Sequence, residues 1–301
     1  MLPLTKKQKA IGAVGYTALF NNLNEKLQDV LSSQGDLRSI AVPLRNDFFF
    51  SPYEINVRED MIYGKFLKFD KVDVVRKTIS RVQTYAAGFG ESSKIYEFRF
   101  VFDPVIHILA IEDSPSLPSA NVLFIIFNEL FKEARKKLFR NYRMSVDELT
   151  SSASLDQVLK ESKGYYSFRS EITFSNSNDF LDGLEELLED VEAEMKDKGI
   201  DKLEHRESAD KDSIMSDVST NALIYAGLSC KFGNTEISYK DKSNKKKVFK
   251  MADFPVKVRI SESMKKRESA LDYYYDIKNS INLANNNARA GSGLLKKIRK
   301  G

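Results

Sequence analysis

The chain holds two histidines, His107 and His205, and one cysteine, Cys230, so the imidazole and thiolate ligands open to a transition metal number three. A structural zinc site takes four Cys or His ligands, which excludes zinc fingers and zinc deaminase centres, and a lone cysteine excludes a disulfide within the chain. Magnesium escapes this restriction because it takes oxygen ligands. Asp103, Glu112 and Asp113, gathered about one predicted hairpin, are the carboxylates that could hold Mg²⁺ in a nuclease. The carboxylate–x–Lys spacing that would set a lysine beside such a metal is absent after that hairpin. His107 could act as a general base beside Asp103 or Glu112. No second activating group is identifiable, however, and an ordinary cross-strand side chain accounts for it better. Gly88-Phe89-Gly90-Glu91-Ser92-Ser93-Lys94 is glycine-rich but has neither phosphate-loop spacing nor the third glycine of a dinucleotide fingerprint, so it reads as a turn before a strand.

Recognition of phosphate is the other chemistry these residue types allow. The formal charge of +4 averages two opposed blocks. Residues 178–218 hold 15 Asp and Glu against 5 Lys and Arg, a net of −10, whereas residues 240–301 hold 17 Lys and Arg against 6 Asp and Glu, a net of +11. A basic segment is the electrostatic footprint of a polyanion partner, since each neutralised phosphate releases condensed counterions. Lys240, Lys242, Lys245, Lys246, Lys247 and Lys250 fall on a predicted hairpin with Ser243-Asn244 at its tip, and Lys257 and Arg259 extend the surface. Lys265, Lys266 and Arg267 open the last predicted helix, where positive charge opposes the dipole and so does not serve helix stability. Lys296, Lys297, Arg299 and Lys300 form a basic tail. Lys132, Lys136, Arg140 and Arg143 share one side of a central helix, although Glu129 and Glu133 lie there too, and intrahelical pairs explain part of the stripe.

The acidic segment 178–198, with Glu185, Glu186, Glu189 and Asp190, has two readings. It neutralises the basic hairpin, within the fold or across a dimer, or it shields a DNA-binding groove as an autoinhibitory element. Tyr273-Tyr274-Tyr275 could stack on bases. Three consecutive helical residues fan over about 200°, so core packing with a subunit contact is the simpler use.

Hydrophobic periodicity locates the elements that must position these groups. Leu19, Leu23, Leu27, Val30 and Leu31 predict an amphipathic helix over 17–33. Strands are expected at 37–44, 47–50 and 61–69, and a second helix at 71–84. Tyr96, Phe98, Phe100 and Phe102 alternate with Glu97 and Arg99 as a half-buried strand requires. Asp103-Pro104 turns it into a return strand, 106–112, that contains His107. Ser119 caps a helix striped by Val122, Leu123, Ile126, Phe127, Leu130, Phe131, Ala134 and Leu138. A connector with one short helix spans 142–163. Beyond it are expected a strand at 165–174, the acidic helix, a strand at 201–206, a helix at 215–226, the basic hairpin (235–240 and 247–251) and a strand at 256–260. A closing helix over 263–285 would turn Ala270, Tyr274, Ile277, Ile281 and Ala284 inward.

Together these predict an α+β fold of mixed, largely antiparallel sheets with packed helices in two subdomains. Residues 1–145 would form an N-terminal α+β domain, and 146–301 a C-terminal α+β domain with the acidic helix and basic hairpin. The longest apolar run, Val122 to Phe127, is far short of the ~18 residues that span a bilayer. Lys6, Lys7 and Lys9 ahead of Ile11–Phe20 imitate a secretory leader, but Gly12, Gly15, Tyr16 and Thr17 interrupt the run and no small-residue cleavage site follows. A cytoplasmic chain without a membrane span is expected.

The order of elements resembles the RexA-like phage-exclusion proteins. The resemblance rests on Phe98-Arg99-Phe100-Val101-Phe102-Asp103-Pro104 through His107 to Glu112, the acidic middle, the lysine-rich hairpin Ile237 to Phe249 and the closing helix Glu268 to Asn282. It is one of pattern rather than motif, and no functional residue transfers by it. It implies a dimeric DNA-binding protein that senses phage replication and signals to a partner, with no catalytic activity of its own. The expectation is therefore a non-enzymatic, weakly sequence-specific DNA-binding protein of an antiphage system. It would act as a homodimer, require no cofactor or metal, and relay to a membrane or effector protein. The competing readings are the Mg²⁺ nuclease and an oligomeric interaction protein with no nucleic-acid partner.

Overall fold

The computed structural model describes residues 2–3, 12–144, 146–173, 198, 200, 202–260 and 269–288. Residues 178–197 of the expected acidic helix, with Glu185, Glu186, Glu189 and Asp190, lie outside the described residues, as do Lys265, Lys266, Arg267 and the basic tail. The fold is α+β, with helices packed on antiparallel sheets. The chain divides into two compact units that are not contiguous in sequence. One comprises Ile11–Met144 and Glu262–Lys278; the other comprises Met1–Ala10, Ser145–Ser261 and Asn279–Gly301.

In the first unit, α1 (Ala13–Ser32) buries Leu19, Phe20, Leu23 and Leu27, so the segment that imitates a leader is a core helix. Strands β1 (Val42–Pro43), β2 (Phe48–Val57), β3 (Ile62–Asp70), β6 (Ile95–Asp103) and β7 (Ile108–Ile111) pair in the order β1-β2-β3-β6-β7. The expected strand at 37–44 shrinks to β1, because Asp36 caps a 3-10 turn over Leu37–Ser39. β2 runs on through Pro52, beyond the predicted end at residue 50. The proline sits at a register shift and past the end of β1, where its missing N–H costs little. Helix α2 (Ala120–Leu138) buries Leu123, Ile126, Phe127, Leu130, Phe131 and Ala134 as its stripe predicts. α1 and α2 cover one sheet face: the Phe20 ring meets Phe100 and Phe102, and Phe127 meets Phe66 edge-on. The other face carries Tyr63, Lys65 and Arg99. The start of helix α5 (Ala270–Ala288) lies against it, with the Tyr274 ring 4.6 Å from Tyr63 and the Tyr273 ring under the Arg99 guanidinium.

Three sequence expectations fail here. Residues 71–84 are not helical: β4 (Val74–Arg76) and β5 (Gln83–Ala86) make a separate two-stranded ribbon. Val72, Val74, Val75, Thr78, Ile79, Val82 and Thr84 are β-branched, and that preference overrides the apparent helical spacing. His107 is not in the return strand but in the turn before it, with a left-handed φ of 60° that histidine tolerates better than most residues. Ala270 is exposed in the first turn of α5, while Tyr274, Ile277 and Ile281 are buried.

The second unit is a four-stranded antiparallel sheet, in the order β9 (Lys202–Ser208), β8 (Gly164–Thr173), β10 (Gly233–Lys240), β11 (Lys246–Lys250). Helices α3 (Ser152–Glu161) and α4 (Thr220–Phe232) pack on it through Leu155, Val158, Leu159, Ala222, Leu223, Ala226 and Cys230, against Tyr165, Phe168, Ile237 and Phe249. α4 outruns its predicted end because Leu228, Ser229 and Cys230 are themselves core. The strand expected over 256–260 does not form; Pro255 makes only an isolated bridge to Thr150. Alternation in β10 sends Thr235, Ile237 and Tyr239 inward and leaves Glu236, Ser238 and Lys240 on the outer face.

Close strand approach makes glycine strongly preferred at two positions. A Cβ on Gly64 would stand 1.8 Å from the Glu54 carbonyl oxygen, and one on Gly233 would stand 1.9 Å from that of Glu171. Gly64→Ala and Gly233→Ala are each expected to cost about 3 kcal/mol in denaturant unfolding. Gly12→Ala, where nothing lies within 4 Å, should cost under about 1 kcal/mol.

Candidate nucleic-acid interface

The basic hairpin is built as expected, and its turn is rigid. Asn244 N–H donates to the Asp241 carbonyl at 2.9 Å, and Asp241 N–H donates to the Lys245 carbonyl at 2.9 Å. Asn244 occupies the left-handed position at φ 63°, the combination that closes many short hairpins. The buried Asp241 carboxylate accepts from the backbone of Ser243 and Lys245 at 2.8 and 2.9 Å and from Lys247 Nζ at 3.1 Å. These bonds, the Lys245 amide foremost, hold its carboxyl below the ordinary carboxylate range. Lys247 is thereby engaged, and so is Lys250, whose ammonium lies 3.8 Å from Glu236.

Lys240, Lys242, Lys245 and Lys246 are different: none has a carboxylate within 4 Å among the described residues. Lys240 and Lys246 stand directly opposite across the ladder, and like charges so placed are destabilising. Lys246 is steadied instead by the Tyr166 ring, 4.9 Å away. The fold adds a cation that sequence reading overlooked. Lys163 N–H donates to the Lys240 carbonyl at 2.8 Å, and its ammonium reaches the Asn244 side chain at 3.5 Å. Its only sequence signal was its place just before β8, whose pairing with Lys240 could not be known beforehand.

The remaining basic candidates are dispersed. Lys257 and Arg259 are exposed on the irregular segment after Phe254, with the Lys257 charge acting on Glu148. Lys132 is held by Glu129 at 2.9 Å, while Lys136 and Arg140 are exposed on and just beyond α2. The Arg143 side chain lies outside the described residues. These α2 cations belong to the first unit and the hairpin to the second.

The catalytic candidates are not brought together. Asp103 is buried, and its carboxylate accepts from the Val105 and Ile106 amides at 2.9 and 3.2 Å, closing the turn. Glu112 pairs with Arg99, four residues and roughly 13 Å back along β6. No group of three metal-ligating side chains occurs among the described residues. His107 packs its ring 4.6 Å from Tyr16, and burial pushes its pKa down to about 4. His205 is tied to Glu207 at 2.8 Å, and Glu207 accepts from the backbone of Ser219 at the α4 N-terminus. The Cys230 thiol is buried, which pushes its pKa up to about 12. The glycine-rich loop binds an anion, but it is the chain's own. Asp70 accepts from the Ser92 hydroxyl and the Ser93 and Lys94 amides at 2.6–2.8 Å, and these bonds overcome the upward push of burial and hold its carboxyl far below the usual range. Tyr274 is buried and offers no face to a base, and one face of the half-buried Tyr273 lies under Arg99.

Two outcomes follow from these placements. Between pH 6.5 and about 4 the unfolded chain takes up a proton at His107 and the folded chain does not, so stability should fall as pH drops through this window. His107→Gln should flatten that part of the profile, as read by urea unfolding at successive pH values. In Asp241→Ala, hydrogen exchange of the Ser243 and Lys245 amides should accelerate at least about tenfold, each having lost a charge-assisted bond; Lys163→Ala should leave the Ser243 amide unchanged.

None of the helices among the described residues is long and apolar enough to cross a membrane. No curated protein and no solved structure matches the chain. A family model described as a domain of unknown function, DUF4747, matches residues 4–279, nearly the whole sequence, and the chain belongs to that family.

Proposed function

We propose that this chain is a non-enzymatic DNA-binding protein whose phosphate-backbone contacts are made by the turn end of the basic hairpin. The observation that carries this reading is the set of five neighbouring lysines, Lys163, Lys240, Lys242, Lys245 and Lys246, without a carboxylate within 4 Å among the described residues. Four of them lie on or beside a turn that Asp241 holds in place, and Lys163 is bonded to it through the Lys240 carbonyl. Elsewhere on the same sheet the cations are largely paired, and pairs of that kind are solvated surface worth at most about 1 kcal/mol. Concentrating like charge at a rigid turn opposes folding, so a polyanion partner accounts for it better than stability does. Flexible lysines on a hairpin contact phosphates without reading base edges, which supports weak sequence specificity. The resemblance to RexA-like phage-exclusion proteins supports an antiphage setting, in which a homodimer senses phage DNA and signals to a membrane or effector partner.

A mobility-shift titration on duplex DNA across a salt series tests the reading. The slope of log K against log salt should be negative and should flatten by about 0.9 for each phosphate contact removed. The variant Lys240→Gln/Lys242→Gln/Lys245→Gln/Lys246→Gln should therefore lose about 3 to 4 from the slope, whereas Lys132→Gln, already paired with Glu129, should change it by less than about 0.5. An unchanged slope in the quadruple variant, or no binding at low salt, would contradict the proposal.

A further inference from the structure

We infer that the ribbon β4–β5 is a second duplex-DNA contact, which enters the minor groove with Ile79 as an apolar wedge between Lys77 and Arg81. This rests on the DNA-binding reading above and adds a site to it. Every residue of both strands is exposed, and Ile79 at the tip is 97% exposed. Val74, Val75, Val82, Tyr85 and Phe89 are exposed beside it, so apolar side chains collect on an element that has no core to join. A two-stranded ribbon with neither face covered is marginal in water, which makes packing a poor explanation for these side chains.

Charge selects the partner. Residues 74–86 contain Arg76, Lys77 and Arg81 and no Asp or Glu. None of the three has a carboxylate within 4 Å among the described residues, so the ribbon presents unneutralised cations around an apolar tip. A second copy of the chain or another protein would have to bring acidic groups to the same place; a phosphate backbone supplies them on both sides of a groove.

The geometry suits insertion. Lys77 N–H donates to the Val82 carbonyl at 2.9 Å, and Arg81 N–H donates to the Lys77 carbonyl at 2.8 Å. Arg81 holds a left-handed φ of 57°, so the four-residue tip is closed and keeps Ile79 at its extremity. Val74 to Lys77 alone rises about 10 Å, more than the ~7.5 Å depth of the minor groove. Apolar wedges carried on such elements unstack a base step and bend the duplex. The root of the ribbon is fixed: Asp70 at the end of β3 is clamped by Ser92, Ser93 and Lys94 before β6, and the Ala87 amide donates to the Asp73 carbonyl at 3.0 Å. The loop that looks like a phosphate cradle thus serves as the base of this arm.

The test uses the full chain and a 30-base-pair duplex with a fluorophore at each end, so that anisotropy reports binding and energy transfer reports bending. Ile79→Ala should bind with the wild-type salt slope but lose most of the bend. Arg76→Gln/Lys77→Gln/Arg81→Asn, in which asparagine tolerates the left-handed φ, should lower the slope by about 2 to 3. All substituted side chains are exposed, and an unchanged melting temperature confirms that folding is intact. If the hairpin quadruple variant loses binding while every ribbon variant matches wild type in slope and bend, the ribbon inference falls and the DNA-binding reading stands. An unbent wild-type complex also overturns the wedge. Wild-type protein that binds no duplex overturns both. If Ile79→Ala instead converts a dimer to a monomer in sedimentation and leaves DNA binding untouched, the ribbon is a subunit contact and the inference is wrong.

Discussion

On the outer face of the four-stranded sheet, antiparallel pairing sets each carboxylate beside a particular cation. Arg169 on β8 donates to both carboxylate oxygens of Glu204 on β9 at 2.8 and 3.0 Å. Glu171 meets Lys202 at 2.6 Å, and Glu236 reaches Lys250. This ladder of pairs stops short of the hairpin turn, where the Asp241 carboxylate is turned inward to hold backbone amides and Lys247. Where the pairing ends, uncompensated positive charge begins, and the position of that boundary underlies the functional account. In water such exposed pairs contribute little stability, so their importance is geometric: they decide which ammonium groups remain open to a partner.

The same economy governs the titratable groups that suggest catalysis. Asp70, Asp103 and Asp241 each use their oxygens to close a turn, Glu207 helps cap α4, and Cys230 is sealed in the core. Burial keeps the His107 imidazole neutral near pH 7. Each is consumed by the architecture.

Much of the fold was legible in the sequence. The stripe of α2, the alternation of β6 and the Ser243-Asn244 tip all depend on local periodicity or turn chemistry, and the structure has them where expected. The apolar residues of 74–86 occur at spacings that fit a helix, while β-branching decides for the ribbon. The return strand begins at Ile108 rather than at residue 106, which leaves His107 in the turn, because the turn after Asp103 is longer than Asp-Pro alone suggests. Neither the openness of Lys163 nor the pairing of Lys247 is legible in the sequence, for one reason. Whether a lysine is open or neutralised depends on strand register, which brings Lys163 to Lys240 and Lys247 to Asp241, and register is a tertiary property.

The most direct measurement of the central claim is chemical protection of individual lysines. Reductive methylation of the protein with and without saturating duplex DNA, read by peptide mass spectrometry, reports each ammonium separately. The account predicts protection at Lys163, Lys240, Lys242, Lys245 and Lys246, with little change at Lys132, Lys202 and Lys250. Protection confined to the paired lysines, or uniform reactivity with and without DNA, would contradict it.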